Sequence, residues 1–594
     1  MSKNLRDEIT VGAADSPIRV EEVSWRYTGA EEQVLVDIDV RVDKGEIVLL
    51  TGRNGAGKTT FCNLLNGLIP HFYVGDLKGK VIVDGIDTQE SFVGYLSTRV
   101  GLLFQDPASQ LISGSVEDEV AFALENIALP LEEIEARTDA SLEYVRLSEF
   151  KERPPFALSG GQQQAVALAC IIALNPEIYV LDEPTSNLDP YGTLQIFELL
   201  DKIATEQKRT FVVVEHKLEE LIDTADRVIV LDDGKIVANG TPREILGEKA
   251  EFLNEMGLWP PQMALLAYRL KSLGLMGDGP VPLTLSEGIE VFSKMLDQKG
   301  RKRTAGSAAS TSTYEPRSGD PLISVRDLRF TYPTGAEALK GIDLDVFDNE
   351  FLAILGQNGS GKTTLVKHFN GLLKPTEGTV IVSGKDTATT PTYELISDVG
   401  YVFQNPDQQL FSKRVYEELA FGLANAGLSK EEIDTRIKEV AAKMNIEDLL
   451  EERPYSLSKG DRQRVVISCI LALDPRVIIV DEPTTGQDPQ KRREIMDLMG
   501  ELHRQGKTIV VITHDMNLAA EYAERCVVMH DGKILLDGGP KDIFVEIEQL
   551  ALTHLKPPTV TQLFMELSET YDVPRDVLTT EEAVECFRET LGGG

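Results

Sequence analysis

Short, unbroken apolar runs, each closed by a Gly-rich loop or by polar residues, recur along this chain. EIVLLTG (46–52), IYVLDE (178–183) and FVVVEH (211–216) lie in the first half, and FLAILG (351–356), VIIVDE (477–482) and IVVITH (509–514) in the second. Runs this short and without alternation predict strands of a parallel sheet covered on both faces, with chemistry at their carboxyl ends. Helical patterns, FCNLLNGL and LVKHFNGL, follow the two Gly-rich loops. The predicted class is α/β.

The pattern is written twice. GRNGAGKTT (52–60) recurs as GQNGSGKTT (356–364), FQDPASQL (104–111) as FQNPDQQL (403–410), and LDEPTSNLDP (181–190) as VDEPTTGQDP (480–489). The offset is 304 residues at the lysines, 299 at the glutamines and aspartates and 298 at the histidines, so the first half carries five extra residues between its lysine and glutamine. This is one module duplicated. Each copy ends alike, with MGLWPPQMALLAYRL (256–270) parallel to THLKPPTVTQLFMEL (553–567). The Pro-Pro pair halts one element and starts a helix, and Thr579-x-x-Glu582 has the form of a capping box. The expected organisation is a first main domain over 1–240 with a helical appendix at 241–297, a linker at 298–320, a second main domain over 321–540, and a helical appendix at 541–594. The linker expectation rests on the small, polar and charged composition of QKGRKRTAGSAASTSTYEPRSGD.

Composition narrows the classes. The chain has 594 residues, 42% hydrophobic and 26% charged, with 60 Lys and Arg against 96 Asp and Glu for a net charge of −36. A sequence-independent nucleic-acid binder neutralises phosphates with clustered cations, so no nucleic-acid partner is expected. No run approaches the ~18 apolar residues of a membrane span, and MSKNLRDEIT lacks the apolar core of a secretory signal. The five cysteines (Cys62, Cys170, Cys469, Cys526, Cys586) are scattered without C-x-x-C spacing, which predicts reduced thiols rather than disulfides or a metal cluster. A soluble, intracellular protein is expected.

Gly52-x-x-x-x-Gly57-Lys58-Thr59 and Gly356-x-x-x-x-Gly361-Lys362-Thr363 are complete P-loops in strand–loop–helix context. Their glycines let backbone N–H groups turn inward as an anion nest at a helix N-terminus. Each loop, through Gly52, Asn54, Gly55, Gly57, Lys58, Thr59 and Thr60, and through Gly356, Asn358, Gly359, Gly361, Lys362, Thr363 and Thr364, is a candidate nucleotide-phosphate-binding segment. The lysine reaches the β- and γ-phosphates and Thr59 or Thr363 ligates Mg²⁺. Asp182 and Asp481 end apolar strands where a second magnesium contact is needed, and Glu183 and Glu482, expected to point the other way along a period-two strand, are placed to polarise an attacking water.

LSGGQ at 158–162, a glutamine in FQDP, an aspartate after the DEP strand and a lone histidine ending the next strand together resemble the ATP-binding cassette (ABC) family over nearly all of both halves. The resemblance implies two tandem ABC-type P-loop NTPase domains with ATP and Mg²⁺. It implies that Tyr27 and Tyr332 stack on adenine, that Gln105 and Gln404 sense magnesium and a membrane partner, and that His216 and His514 contact the γ-phosphate. Asp189 and Asp488 match the family's aspartate after that strand. In the family two domains close head-to-tail, so Ser159, Gly160, Gly161 and Gln162 would face Lys362, and Ser458 and Gly460 would face Lys58. The second signature reads LSKGD: Lys459 replaces a glycine and Asp461 the glutamine, and Gln487 stands where the first half has Leu188. Both halves keep lysine, aspartate, glutamate and histidine, which implies two hydrolytic sites with unequal rates.

FQDPASQLISGSVEDEVAFALENIAL (104–129) and FQNPDQQLFSKRVYEELAFGLANAGLS (403–429) are similar to the ATPases of energy-coupling-factor (ECF) transporters. In that family two ATPases drive a transmembrane coupling protein and a small membrane-embedded substrate-capture subunit, importing vitamins, their precursors, or cobalt and nickel ions. Here one fused chain would supply both ATPases, peripheral on the cytoplasmic face of the membrane. The alternative is a twin-cassette ATPase acting on ribosomes or nucleic acid. The acidity, the absence of a Cys-rich N-terminal domain and the short Ser/Thr/Gly-rich linker weigh against it.

Overall fold

The computed structural model describes residues 16–186, 188–298, 314–315, 317–483 and 487–592. Of the expected linker, only Gln298, Tyr314, Glu315 and Arg317–Asp320 are among them; the rest lies outside the described residues. Contacts divide the chain into two units, one running through Tyr268 and including Gly279–Thr284, the other comprising Arg269–Asp278 and the chain from Leu285 onward.

Each unit is built on a six-stranded sheet. In the first, the order across the sheet is Lys235–Gly240, Arg227–Asp232, Ile47–Gly52, Thr210–Val214, Ile178–Asp182 and Val100–Leu103. All neighbours are parallel except the Lys235–Gly240 edge strand. The second unit repeats this with Val399–Val402, Val477–Asp481, Thr508–Ile512, Phe351–Leu355, Arg525–His530 and Lys533–Gly538. The central strands are apolar because both faces are covered: every residue of Ile178–Asp182, Thr210–Val214, Val477–Asp481 and Thr508–Ile512 is buried. Each fully buried Val, Leu or Ile contributes about 1.5–3 kcal/mol relative to exposure, so the runs hold the sheet without any alternation.

One face of each sheet packs on a helix beginning at the P-loop lysine, Lys58–Leu65 or Lys362–Phe369, and on a small antiparallel sheet carrying Trp25 or Phe330. The five extra residues of the first half fall between Gly67 and Lys78, a stretch that holds the short turn Leu68–His71, the exposed Phe72 and Val74, and the start of the longer strand Gly75–Val83. The strand order places Ile47–Gly52 between Thr210–Val214 and Arg227–Asp232, with Ile178–Asp182 one strand further on. The P-loop, the carboxylates and the histidine therefore emerge together at the carboxyl edge, where parallel α/β sheets bind ligands.

A helical layer follows the outer strand in each unit. In the first, Val116–Asn126, Leu131–Tyr144 and Gly160–Leu174 share a core of Val120, Leu124, Leu142 and Val166. After the Pro-Pro pairs the helices Gln262–Ser272 and Thr559–Thr570 begin. Thr579 accepts from the Glu582 N–H at 3.1 Å, but the Glu582 carboxylate reaches back to the Leu578 N–H at 2.8 Å, one residue beyond the reciprocal partner of a capping box. In the second unit the Phe292 ring, from Leu285–Gln298, packs at a tilt against Phe587 with centroids 5.3 Å apart, and Phe587 against Phe564 at 5.2 Å. Among the described residues no helix is long and apolar enough to cross a membrane.

Candidate functional site

Strand, glycine and helix shape each phosphate loop. Gly52 and Gly356 lie where a Cβ would come within 2.1 Å of the Leu231 carbonyl oxygen and 2.4 Å of the Met529 one, so only glycine lets the loop leave its strand. Gly57 and Gly361, at φ 101° and 103°, turn the chain into the helices that start at Lys58 and Lys362. Both lysines are buried, and each ammonium donates to its own loop: Lys58 Nζ to the Gly52 and Arg53 carbonyls at 2.8 and 3.0 Å, Lys362 Nζ to those of Gly356 and Gln357 at 2.7 and 3.0 Å. Asn54, Gly55, Asn358 and Gly359 lie within these loops.

The Thr59 hydroxyl donates to Asp182 Oδ2 at 2.6 Å and the Thr363 hydroxyl to Asp481 Oδ2 at 2.8 Å, so hydroxyl and carboxylate meet at both sites. In the second half Tyr401 also donates to Asp481 Oδ2, at 2.7 Å, where the first half has Leu102. Burial pushes both aspartates up, Asp182 to about 6 despite Thr59 and Lys58, and Asp481 above its ordinary value despite Tyr401 and Thr363. The strands end at these aspartates. Glu183 and Glu482 follow at φ 50° and 49°, in the left-handed region. The period-two orientation expected for the glutamates is therefore replaced by a sharp turn, and local strain of this kind gathers at functional sites.

The turn brings Glu183 to His216, whose Nε2 lies 3.3 Å from Oε1, and Glu482 to His514, whose Nδ1 lies 2.8 Å from Oε2. Gln105 donates to Glu183 Oε2 at 2.7 Å, whereas Gln404 is exposed. Burial pushes the Glu183 carboxyl up, but His216, Lys58 and Gln105 outweigh it and hold the group below the ordinary glutamate value. Tyr27 and Tyr332 are half-buried beside the P-loop helices, their hydroxyls 3.1 and 3.0 Å from Thr60 and Thr364 Oγ1.

The signature residues start separate helices. Ser159 caps Gly160–Leu174 and closes a capping box with Gln162; Gly161 follows within the first turn. Ser458 caps Lys459–Ala472, which contains Gly460, but its hydroxyl donates to the Asp461 carboxylate at 2.6 Å. Burial raises the Asp461 carboxyl, and Ser458 and Arg464 outweigh that to hold it low, so it is ionised at neutral pH. Asp189 and Asp488 cap the helices Pro190–Gln207 and Pro489–Arg504 through the N–H groups of Gly192 and Lys491 at 2.9 and 2.8 Å.

Residues that sequence reasoning did not single out hold the loop after Gln105 and Gln404. Gln110 accepts from the Phe104 N–H at 2.8 Å and donates to the Leu102 carbonyl at 3.1 Å, and Gln409 repeats this with Phe403 and Tyr401 at 2.9 and 3.0 Å. Buried Glu119 and Glu418 accept from the backbone N–H groups of Ile112 and Ser113, and of Phe411 and Ser412, at 2.6–3.0 Å. The signal was present in the repeated F-Q-[DN]-P-x-x-Q-L and acidic helix start.

The residues present fit a nucleotide triphosphate with a hard cation. His216 Nδ1 and Asp481 Oδ1 are buried without a hydrogen-bond partner, a costly state that phosphate oxygens and a cation relieve. Besides Gln105 and Gln404, expected at the ion from the family resemblance, the chain offers the cation one hydroxyl and one carboxylate per site, which suits Mg²⁺, an ion that keeps waters and takes phosphates as ligands.

The ABC transporter family profile matches residues 35–186 and 339–485. A provisionally named ABC transporter ATP-binding protein of Caldanaerobacter subterraneus subsp. tengcongensis is 41% identical over 97% of this chain and 99% of its own length. One from Methanosarcina mazei is 38% identical over 97% of this chain and 98% of its own. A solved structure of cbiO1 from Clostridium perfringens, part of the ABC transporter complex cbiONQ, is 38% identical and covers 42% of this chain and 100% of that one, with a TM-score of 0.37.

Proposed function

This chain belongs to the ABC transporter family as an ATPase with two ABC domains, and on that premise we propose that it energises a membrane importer of the ECF type. The observation that carries the reading is an exposed apolar cluster repeated in both halves beside the glutamine loop. Ile112, Phe122 and Phe156 correspond to Phe411, Phe421 and Tyr455 at one offset of 299, and each is between 46% and 77% exposed. Single exposed apolar residues are ordinary, but a clustered patch marks an interaction surface. Phe411 and Phe421 meet edge-on at 4.8 Å and the Tyr455 hydroxyl donates to the Leu410 carbonyl, while Glu418 anchors the backbone beneath. Such a patch suits a short apolar helix of a membrane coupling protein. An rRNA or DNA contact calls for cations instead, and the net charge is −36.

In this reading ATP draws Lys58 and Lys362 off their loop carbonyls and onto its phosphates. Thr59 and Asp182 at the first site, and Thr363 and Asp481 at the second, would hold Mg²⁺, which would supply positive charge against the negative charge of the transferring phosphoryl group. Glu183 and Glu482 orient the water for in-line attack, and His216 and His514 contact the γ-phosphate. Tyr27 and Tyr332 take the adenine. By the family resemblance the two ATPase domains of the chain would pair head-to-tail, each signature completing the other half's site. In that pairing the ionised Asp461 on Ser458 would set negative charge beside the γ-phosphate grip of the site using Lys58, which argues for a slower rate there. The partners are a transmembrane coupling protein and a small capture subunit, at the cytoplasmic membrane face, and the cargo is a vitamin, a vitamin precursor or a Co or Ni ion.

Capture of the chain from native membranes in mild detergent, followed by mass spectrometry, tests this. The expected companions are a multi-span coupling protein and a small multi-span subunit, both lost from a Phe411→Ala/Phe421→Ala variant. Ribosomal proteins without integral membrane proteins would overturn it.

A further inference from the structure

One buried carboxylate at the first site has no part in the chemistry above. Glu215 closes the strand Thr210–Val214 just before His216 and is only 3% exposed. Its Oε2 accepts the Thr185 hydroxyl at 2.6 Å, and its Oε1 accepts the N–H groups of His216 and Lys217 at 2.8 and 3.3 Å. A buried charge is tolerated only when donors satisfy it, and here all of these donors flank catalytic candidates. Thr185 stands two residues after Glu183, and the ring of His216 returns to Glu183 at 3.3 Å. Glu183, Thr185, Glu215 and His216 thus form a closed circuit. Lys217 extends it, its Nζ donating to Thr193 Oγ1 at 3.2 Å on the helix capped by Asp189.

The second site is tied differently. Thr513 stands in place of Glu215, and its hydroxyl accepts from the Asp515 N–H at 3.0 Å. Asp515 faces Arg492 at 3.7 Å, at the positions where the first half has Lys217 and Thr193. A residue that merely ended the strand needs no charge, as Thr513 demonstrates.

We infer that Glu215 is a positioning residue of the first ATPase site, locking His216 and the turn after Glu183 into one unit. The inference rests on the reading that His216 serves the γ-phosphate. Because Glu215 acts through the geometry of hydrolysis and not through nucleotide contact, its loss falls on kcat and spares KM.

The test uses the full chain labelled with ¹³C at histidine Cε1, its seven histidines allowing the His216 and His514 signals to be assigned by their loss in His216→Gln and His514→Gln. In Glu215→Ala, read in a Glu482→Gln background so that turnover reports the first site alone, the expected result is at least a tenfold fall in kcat with KM for ATP within twofold of that background, and a displaced His216 signal beside an unmoved His514 signal. Glu215→Gln, which keeps an acceptor oxygen, restores at least half of the lost rate. Thr185→Val, which leaves the carboxylate in place, displaces the His216 signal and lowers kcat less. An unmoved His216 signal with parental kcat in Glu215→Ala and Thr185→Val overturns the inference, as does a loss that disturbs both histidine signals and is not restored by glutamine. If His216→Gln turns over normally, the γ-phosphate reading of His216 fails, while a displaced His216 signal in Glu215→Ala still upholds the positional lock.

Discussion

Replacing Asp182 with asparagine should stabilise the nucleotide-free protein while removing cation-dependent turnover from the first site. Asp182 is 2% exposed, and its carboxyl is pushed up to about 6 from 3.8, first by burial and then by the charges of Glu183 and Glu215, against the pull of Thr59 and Lys58. A carboxyl that holds its proton more tightly when folded lowers stability as pH rises from the unfolded value toward the folded one, and the loss is complete above the latter. At ~1.4 kcal/mol for each pKa unit, the ionised group costs about 3 kcal/mol at pH 7.5 and about 2 kcal/mol at pH 5.5. Asparagine keeps a carbonyl oxygen for the Thr59 hydroxyl but never ionises. In urea melts with EDTA, Asp182→Asn should exceed the parent by up to about 3 kcal/mol at pH 7.5, and the gain should shrink at pH 5.5. Saturating Mg²⁺–ATP should raise the parent by mass action more than it raises the variant. A variant no more stable at pH 7.5, or one whose advantage grows as the pH falls, would refute the claim that burial of this charge is a standing cost.

Tyr401→Phe removes a hydroxyl from the buried Asp481 carboxylate, and should lower the melting stability by about 1.5–3 kcal/mol at neutral pH, the value of a hydrogen bond to a charged group; an unchanged melt would deny that bond its weight. On the proposed pairing of the unaltered signature with Lys362, Lys362→Ala should depress ATP turnover more than Lys58→Ala in steady-state assays; equal residual rates would count against unequal sites. Gly52→Ala forces a methyl to within 2.1 Å of the Leu231 carbonyl oxygen and should abolish binding of a fluorescent ATP analogue, whereas Gly55→Ala, with open space around it but a φ of 81°, should weaken it less.

Some features were readable in advance because they are local. Apolar runs such as IYVLD need no partner to declare a doubly covered strand, and the P-loop glycines announce a turn that side chains would block. The orientation of Glu183 and Glu482 was not, because the period-two expectation assumes that the strand continues. It stops at Asp182 and Asp481, and the left-handed residue after each is held by the neighbouring strand, through the Glu183 N–H on the Val214 carbonyl and the Glu482 N–H on that of Ile512, at 3.0 and 2.9 Å. Tyr401, Glu119, Glu418 and Glu215 likewise looked like one polar atom in a strand or one acid in a helix. Their partners lie 80 residues away for Tyr401 and 30 for Glu215.

The sequence by itself determined the duplication, the parallel sheets and the identity of the phosphate loops, since each follows from short-range periodicity or from a backbone that only glycine permits. Tertiary structure decided which carboxylate meets which donor. Strand order sets the ends of four strands side by side, and burial there turns modest side-chain bonds into the forces that place Asp182, Glu183 and His216 around one site.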